Sequence, residues 1–287
     1  MNQTTKQIVT QLLKDKNIKI RKHLGQNFLI DDRMLNQIIE SATIDKETLV
    51  IEVGPGLGSL THYLLQNAGA VMAYEIDASF IPILNDRFSH HDHFKLIHDD
   101  ILNRNLDEDI KTHFSNKKVI LIANLPYYIT TPILFKCLEE SSIIARYVVM
   151  MQYEVAKRFT ASVSTKDYNA LSVAMQYRTK TRYLFKVPRQ AFIPEPNVDS
   201  AVISLDVDQN VRLDDTMTQF FFQFIKQAFK QRRKTLVNNI HAAYGLDKSI
   251  IENQISNAGH LKNCRAESLS VDQLYGISCL FYDIMNR

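Results

Sequence analysis

The stretch IANLPYYITTP, residues 122–132, brings an amide, a proline and two tyrosines to the end of the apolar run VILIA. Such a run reads as a buried strand, so Asn124 stands at a strand's C-terminal end with a carbonyl acceptor to offer. Pro126 has no N–H and a fixed φ, so carbonyls just before it can be held outward, unclaimed by a sheet partner. Tyr127 then sets a flat ring beside those acceptors. Acceptors next to a stacking face make a pocket for a planar base that bears an NH₂ group.

A second constellation is IEVGPGLGSLT at 51–61. Gly54, Gly56 and Gly58 allow a tight turn and close approach of the backbone to a ligand. Glu75 follows 21 residues after Gly54. An acid at about that distance is where a ribose hydroxyl pair is held. The pattern is G-x-G-x-G, and Ser59 stands where a dinucleotide fingerprint needs its third glycine. The loop therefore suits a nucleoside ligand without a pyrophosphate, which counts against an NAD-dependent oxidoreductase. Asp100 falls just past the third strand, on the edge where open sheets bind ligands, and can reach an adenine amine. Asp99 competes for that role, and helix capping is the structural role open to either.

These residues need strands to carry them. Apolar runs at 48–53, 70–76, 94–100, 117–124 and 147–152 read as buried strands. Helical stretches at 58–68, 78–88 and 132–140 alternate with them, the last with Thr131 as N-cap and Pro132 in the first helical position. This alternation predicts an α/β fold with a parallel, doubly wound, Rossmann-like sheet. After about residue 205 the pattern becomes helical, over 216–245, 247–257 and 270–286. A small all-helical C-terminal domain is expected there. Within 216–245, Phe222, Ile225, Phe229, Leu236, Ile240 and Ala243 form an apolar stripe whose missing position falls at Arg232 or Arg233. Arg232, Arg233 and Lys234 would fan around about 200° of a helix, so they cannot all hide from solvent. Phosphate contact and a structural ion pair are both open to them.

The chain has 287 residues, 45% hydrophobic and 23% charged, as an ordinary soluble protein would. The apolar runs are too short for a membrane span. Three cysteines, Cys137, Cys264 and Cys279, form neither a disulfide framework nor a zinc pattern, which predicts a reducing cytoplasm and no metal. Net charge is +3, but six basic side chains against one acid crowd residues 1–26. That basic arm and KQAFKQRRK at 226–234 suit a nucleic-acid backbone.

EVGPGLG followed by NLPY resembles S-adenosylmethionine-dependent methyltransferases that act on an amino nitrogen. The leucine form of the second motif is similar to that of ribosomal RNA adenine enzymes. KHLGQNFLID (22–31), FIPEPNVDSAVI (192–203), FKQRRKTLVNNI (229–240) and RAESLS (265–270) resemble further motifs of the KsgA-type rRNA adenine N6,N6-dimethyltransferase family. The resemblance runs from about Lys22 to the end. It implies a class I S-adenosylmethionine-dependent methyltransferase domain at 27–207 and a helical RNA-binding domain at 208–287, behind the basic arm at 1–26. It implies N6,N6-dimethylation of two adjacent adenosines in a hairpin near the 3′ end of 16S rRNA, in an immature small subunit, by a monomer. The target amine would be held by Asn124 and a carbonyl of Leu125 or Pro126, between the rings of Tyr127 and Phe192. The cofactor would meet Asn27, Leu29, Gly54, Gly56, Glu75, Ile76, Asp100 and Asn124, with Gln26 and Ile101 beside them. RNA would meet Lys22, Arg232, Arg233 and Lys234. Many members carry Asn where this chain has Tyr128, at the flank of the pocket.

Two other readings are a large-subunit rRNA methyltransferase that confers macrolide resistance and a non-catalytic assembly factor. Gly25, VDS at 198–200 and RRKTL favour the small-subunit enzyme over the first. The intact Asn124, Pro126 and Tyr127 count against the second.

Overall fold

The computed structural model describes residues 3–16, 18, 20–21, 25–114, 118–208 and 216–285. Lys22, expected at the RNA, lies outside the described residues. The chain packs as two compact units: residues 1–156 with 182–207, and residues 157–181 with 208–287. The sequence placed 157–181 with the sheet, as part of one span 27–207. Packing puts them with the helices, because Val173 and Met175 are apolar residues buried outside the sheet.

In the first unit the chain runs α1 (Thr5–Asp15), β1 (Phe28–Leu29), α2 (Asp32–Ala42), β2 (Thr48–Val53), α3 (Ser59–Asn67), β3 (Ala70–Glu75) and α4 (Ile81–Phe88). It continues β4 (Phe94–His98), α5 (Leu106–His113), β5 (Lys118–Asn124), α6 (Thr130–Glu140) and β6 (Ile144–Gln152). After α7 (Tyr153–Phe159) and α8 (Ala170–Arg178) come β7 (Thr179–Val187), β8 (Phe192–Ile193) and β9 (Ser200–Val207). The larger sheet has the order β4-β3-β2-β5-β6-β9-β7. The five strands β4 to β6 pair in parallel, as the alternation predicts. β9 pairs antiparallel with β6, so the sheet is mixed. From β2 the chain moves one way to β3 and later returns on the other side as β5. The gap between β2 and β5 is thus the switch point, where open α/β sheets bind ligands beyond their strand ends.

Every residue of β2 and β3 is buried, which accounts for their largely apolar runs. Val50, Val71, Ile120, Ile122, Val148, Met150 and Val202 share a core with Leu35 and Ile38 of α2 and Leu60 and Leu64 of α3. The N-terminal arm joins that core. Thr4 and Gln7 form a capping box that starts α1, and Val9 is fully buried. The Thr5 hydroxyl and the Tyr63 hydroxyl both donate to Asp32 Oδ1, the second at 2.8 Å. Residues 5–15 are therefore a docked helix within the first unit, not a separate arm. α6 begins at Thr130 rather than after Thr131, because the Thr130 hydroxyl donates to the Pro126 carbonyl at 2.9 Å and closes the preceding turn.

The second unit holds α8 with α9 (Thr216–Ala228), α10 (Leu236–Tyr244), α11 (Lys248–Asn257) and α12 (Val271–Met285). Phe221, Phe224, Leu236, Ile240, Ile255, Ile277 and Phe281 fill its core. The single helix expected over 216–245 is broken between Ala228 and Leu236. The buried Asn239 amide donates to the carbonyls of Ala228 and Gln231 at 2.8 and 3.1 Å, and Thr235 caps α10. These polar groups replace the helical ladder there. Arg232, Arg233 and Lys234 thus sit exposed in a turn, outside any helical stripe.

Candidate active site

β2 ends at Val53 and the chain turns through a glycine loop into α3. Gly56 and Gly58 both lie at positive φ, 58° and 78°. A Cβ on Gly58 would stand 2.3 Å from the Phe88 ring, and one on Gly56 would stand 3.1 Å from the Phe28 ring. No other residue fits this turn without displacing a ring. The Gly56 N–H donates to Glu75 Oε2 at 3.0 Å, and the Asp77 N–H donates to Glu75 Oε1 at 2.8 Å. Glu75, at the end of β3, therefore ties the loop to the neighbouring strand. Burial pushes its carboxyl above the ordinary range, against the pull of those backbone bonds.

A second wall comes from residues 25–29. The Gln26 amide donates to Asp77 Oδ2 at 2.7 Å, and its carbonyl accepts from the Arg21 N–H at 2.8 Å. Arg21 also pairs with Asp77 at 3.3 Å. Burial would raise the Asp77 carboxyl, but the Ser79 and Gln26 hydrogen bonds and the Arg21 charge outweigh it, and the net direction is down. Phe28 meets Phe80 edge-on, with ring centroids 5.7 Å apart. The segment is thus clasped to the end of β3.

β5 supplies the third wall. The Asn124 side chain donates through Nδ2 to the Asn27 carbonyl at 3.1 Å, so its Oδ1 is left as an acceptor. The Leu125 N–H donates to the Met150 carbonyl at 3.1 Å. The Pro126 carbonyl accepts from the Ile129 N–H at 3.1 Å and from Thr130. Among the described residues no donor reaches the Leu125 carbonyl or Asn124 Oδ1. The turn thus occupies the Pro126 carbonyl and leaves the Leu125 carbonyl open. The Tyr127 hydroxyl shares a hydrogen bond with Ser200 of β9 at 2.6 Å, which fixes the ring, and burial pushes its phenol up.

One cavity collects Gln26, Asn27, Leu29, Gly54, Gly56, Glu75, Ile76, Asn124, Leu125, Pro126 and Tyr127. Ile76 is 51% exposed at its edge, and Tyr128 is exposed at its mouth. Three expected residues are not on its wall. Phe192 is buried in β8, where it pairs with Leu29, so its ring is spent on the core behind β1. Ile101 is buried as well. Asp100 caps a short turn, accepting from the Leu102 N–H at 2.9 Å, which is the structural role its position allowed. Its charge still reaches Tyr128, whose phenol burial raises first and Asp100 second. Arg232 pairs with Glu267 at 2.6 Å and donates to the Lys166 and Thr165 carbonyls, so the ion-pair alternative holds for it. The cavity wall also includes Glu52, Ser59, Asp77 and Phe80, which the sequence reading did not single out. For Glu52 the signal was present: it is a charge in the middle of a run that otherwise reads as a buried strand.

Among the described residues no group of His, Cys, Asp and Glu could hold a metal ion. The cradle instead fits a nucleoside with a polar tail. It has a glycine floor, a carboxylate at the end of β3, an exposed aliphatic side chain beside it, and a buried Ser59 hydroxyl without a protein partner.

Fold and cradle together define a class I methyltransferase. A dimethyladenosine transferase from Plasmodium falciparum has this fold, with a TM-score of 0.74 at 22% identity over 88% of this chain and 96% of that one. So does the 23S rRNA methyltransferase ErmE, with a TM-score of 0.67 at 24% identity over 88% and 98%. The ribosomal RNA adenine dimethylase family model matches residues 17–274, and the chain belongs to that family. Proteins named ribosomal RNA small subunit methyltransferase A are similar to it. The one from Bacillus pumilus is 44% identical over 93% of each chain, and the one from Lactococcus lactis is 43% identical over 91% of this chain and 90% of its own.

Proposed function

We propose that this chain dimethylates the N6 amines of two adjacent adenosines in a hairpin near the 3′ end of small-subunit (16S) rRNA. It acts as a cytoplasmic monomer on an immature subunit, with S-adenosylmethionine as methyl donor. The observation that carries this reading is the pair of unclaimed acceptors, Asn124 Oδ1 and the Leu125 carbonyl, beside the fixed Tyr127 ring in the glycine-floored cavity. Glu75 takes the ribose hydroxyls, Gly54 and Gly56 approach by backbone, and Ile76 covers the adenine. Asn27, Leu29 and Gln26 flank the methionine part, and the second Asp100 oxygen meets the adenine amine.

When bound, S-adenosylmethionine supplies an electrophilic methyl group on a sulfonium. The protein's task is to aim a poor nucleophile at it. An adenine amine is planar because its lone pair is delocalised into the ring. Asn124 and Leu125 accept its two hydrogens and favour a pyramidal nitrogen, whose lone pair then points into the cavity. A strong base is unnecessary, since the amine becomes acidic once alkylated. The monomethylated amine keeps one hydrogen, so one of the two acceptors still serves a second transfer. Tyr127→Ala is expected to lower kcat/KM by roughly 5- to 150-fold, the equivalent of one stacked base, whereas Tyr127→Phe keeps the ring and most of the activity. Equal loss in both variants would remove the stacking role.

RNA is held in part by Arg233 and Lys234, exposed in the turn between α9 and α10. The double change Arg233→Glu, Lys234→Glu is expected to weaken RNA binding about tenfold or more and to flatten its salt dependence by about two phosphate contacts. Filter binding at several salt concentrations reads this; an unchanged slope would refute the contact. The activity itself is tested by labelled methyl transfer onto unmethylated small subunits, followed by nucleoside analysis. Dimethyladenosine is the expected product. Transfer to naked large-subunit rRNA alone, or no transfer, would overturn the reading.

A further inference from the structure

A second cavity opens on the same edge of the sheet, outside the cradle. Its wall includes Gln152 and Tyr153 where β6 ends, Lys186 and Gln190 around the end of β7, and Asn197 and Asp199 just before β9. Asp199 ties these segments together. Its carboxylate pairs with Lys186 at 2.7 Å and accepts the Arg189 N–H at 3.0 Å, and its carbonyl accepts the Tyr153 N–H at 3.0 Å. The Tyr153 ring has the Lys186 ammonium 5.3 Å from its centroid and meets the Tyr183 ring edge-on.

One bond links this cavity to the reactive one. The Tyr127 hydroxyl reaches Ser200, the chain neighbour of Asp199. In the sheet, Asn124 of β5 stands opposite Met150 of β6, and Gln152 of β6 stands opposite Ser200 of β9. Two strand spacings, about 10 Å, therefore separate the acceptor from the second cavity. An unstacked sugar-phosphate linkage can bridge such a gap.

The polar groups say what the cavity takes. Among the described residues the side-chain amides of Gln152, Gln190 and Asn197 make no hydrogen bond. A primary amide sets a carbonyl acceptor beside an NH₂ donor, which matches the amine and ring nitrogen on an adenine edge. A phosphate fits poorly. Lys186 is already paired with Asp199 and Arg189 with Glu195, the latter at 2.9 Å, and Glu154 adds another carboxylate to the wall. The arrangement suits an uncharged, planar base.

Resting on the function proposed above, we propose that this cavity receives the base of the adenosine adjacent to the target, so that the pair is unstacked together with one base in each cavity. The amides read the parked base through its N6 hydrogens. A dimethylated base has none, so the cavity takes only an adenine not yet modified. The first adenosine of the pair is then methylated with its neighbour held, and the second without.

The test uses unmethylated small subunits in which one adenosine of the pair, each in turn, is replaced by purine riboside, which lacks the N6 amine. For the remaining adenosine, kcat/KM is compared with the same position in the unaltered pair. In one of the two placements the native chain should lose about 5- to 150-fold, the discrimination of one bidentate amide–adenine contact. Placements that both match the unaltered pair overturn the second cavity's role while the activity stands. The double change Gln190→Ala, Asn197→Ala should cost a similar factor on the unaltered pair and add little on the sensitive purine-riboside substrate, with S-adenosylhomocysteine binding at the native value. Equal loss on both substrates makes the effect a structural one and also overturns the proposal. No transfer by the native chain to the unaltered pair overturns the function itself and this proposal with it. The native chain's two placements decide the matter even if the variant fails to fold.

Discussion

Asn124→Ala is expected to lower methyl transfer by about 10²–10³-fold while S-adenosylhomocysteine binding stays within a fewfold of native. The Asn124 amide does two things. Its Nδ2 holds the Asn27 carbonyl, and by doing so it leaves Oδ1 facing the cavity. Alanine removes the acceptor that the amine needs as it leaves planarity, a preorganised contact of the kind that dominates such rates. The cofactor side survives because Asp77 holds Gln26 and Arg21 independently of Asn124. Single-turnover rates with saturating RNA, beside calorimetric binding, separate the two. A variant with near-native turnover would end the acceptor role. One that loses binding in proportion to rate would make Asn124 a part of the clasp alone.

Glu75→Ala should do the reverse, weakening S-adenosylhomocysteine by roughly 10²–10³-fold. Two charge-assisted hydrogen bonds to ribose hydroxyls, each about 1.5–3 kcal/mol, set the scale. The same carboxylate also receives the Gly56 and Asp77 N–H groups, so alanine frees the loop it tethers. Glu75→Gln keeps one acceptor oxygen and should fall between native and alanine. Affinity unchanged in Glu75→Ala would remove the ribose assignment.

Much of this was legible in the sequence because it depends on local chemistry. The apolar runs gave the parallel strands, and motifs at their C-terminal ends had to share one edge. Asn124, Glu75 and the glycines meet in one cavity for that reason. What sequence left hidden depends on what each group does with its neighbours. Pattern alone could not tell that the Pro126 carbonyl is occupied and the Leu125 carbonyl open, since that rests on the Ile129 and Thr130 donors. Phe192 looked like a second stacking ring, but a two-residue strand pairing with β1 buries it. The stripe over 216–245 was real in part, yet the amide of Asn239 caps the end of α9 and no periodicity reports that. Arg232 shows how a residue with two possible roles is resolved only by its partners.

The two units interleave along the polypeptide, since residues 157–181 belong to one and the segments on either side to the other. β9 is inserted between β6 and β7, so the sheet is incomplete until residue 207 has left the ribosome during synthesis. Meanwhile α8 must wait for α9 and α12, which are made last. Neither half can then mature before the other is nearly translated, unlike strings of domains that fold one after another. For the same reason no single cut yields two clean fragments: removal of everything after residue 207 would strip the cover from Val173 and Met175 and favour aggregation.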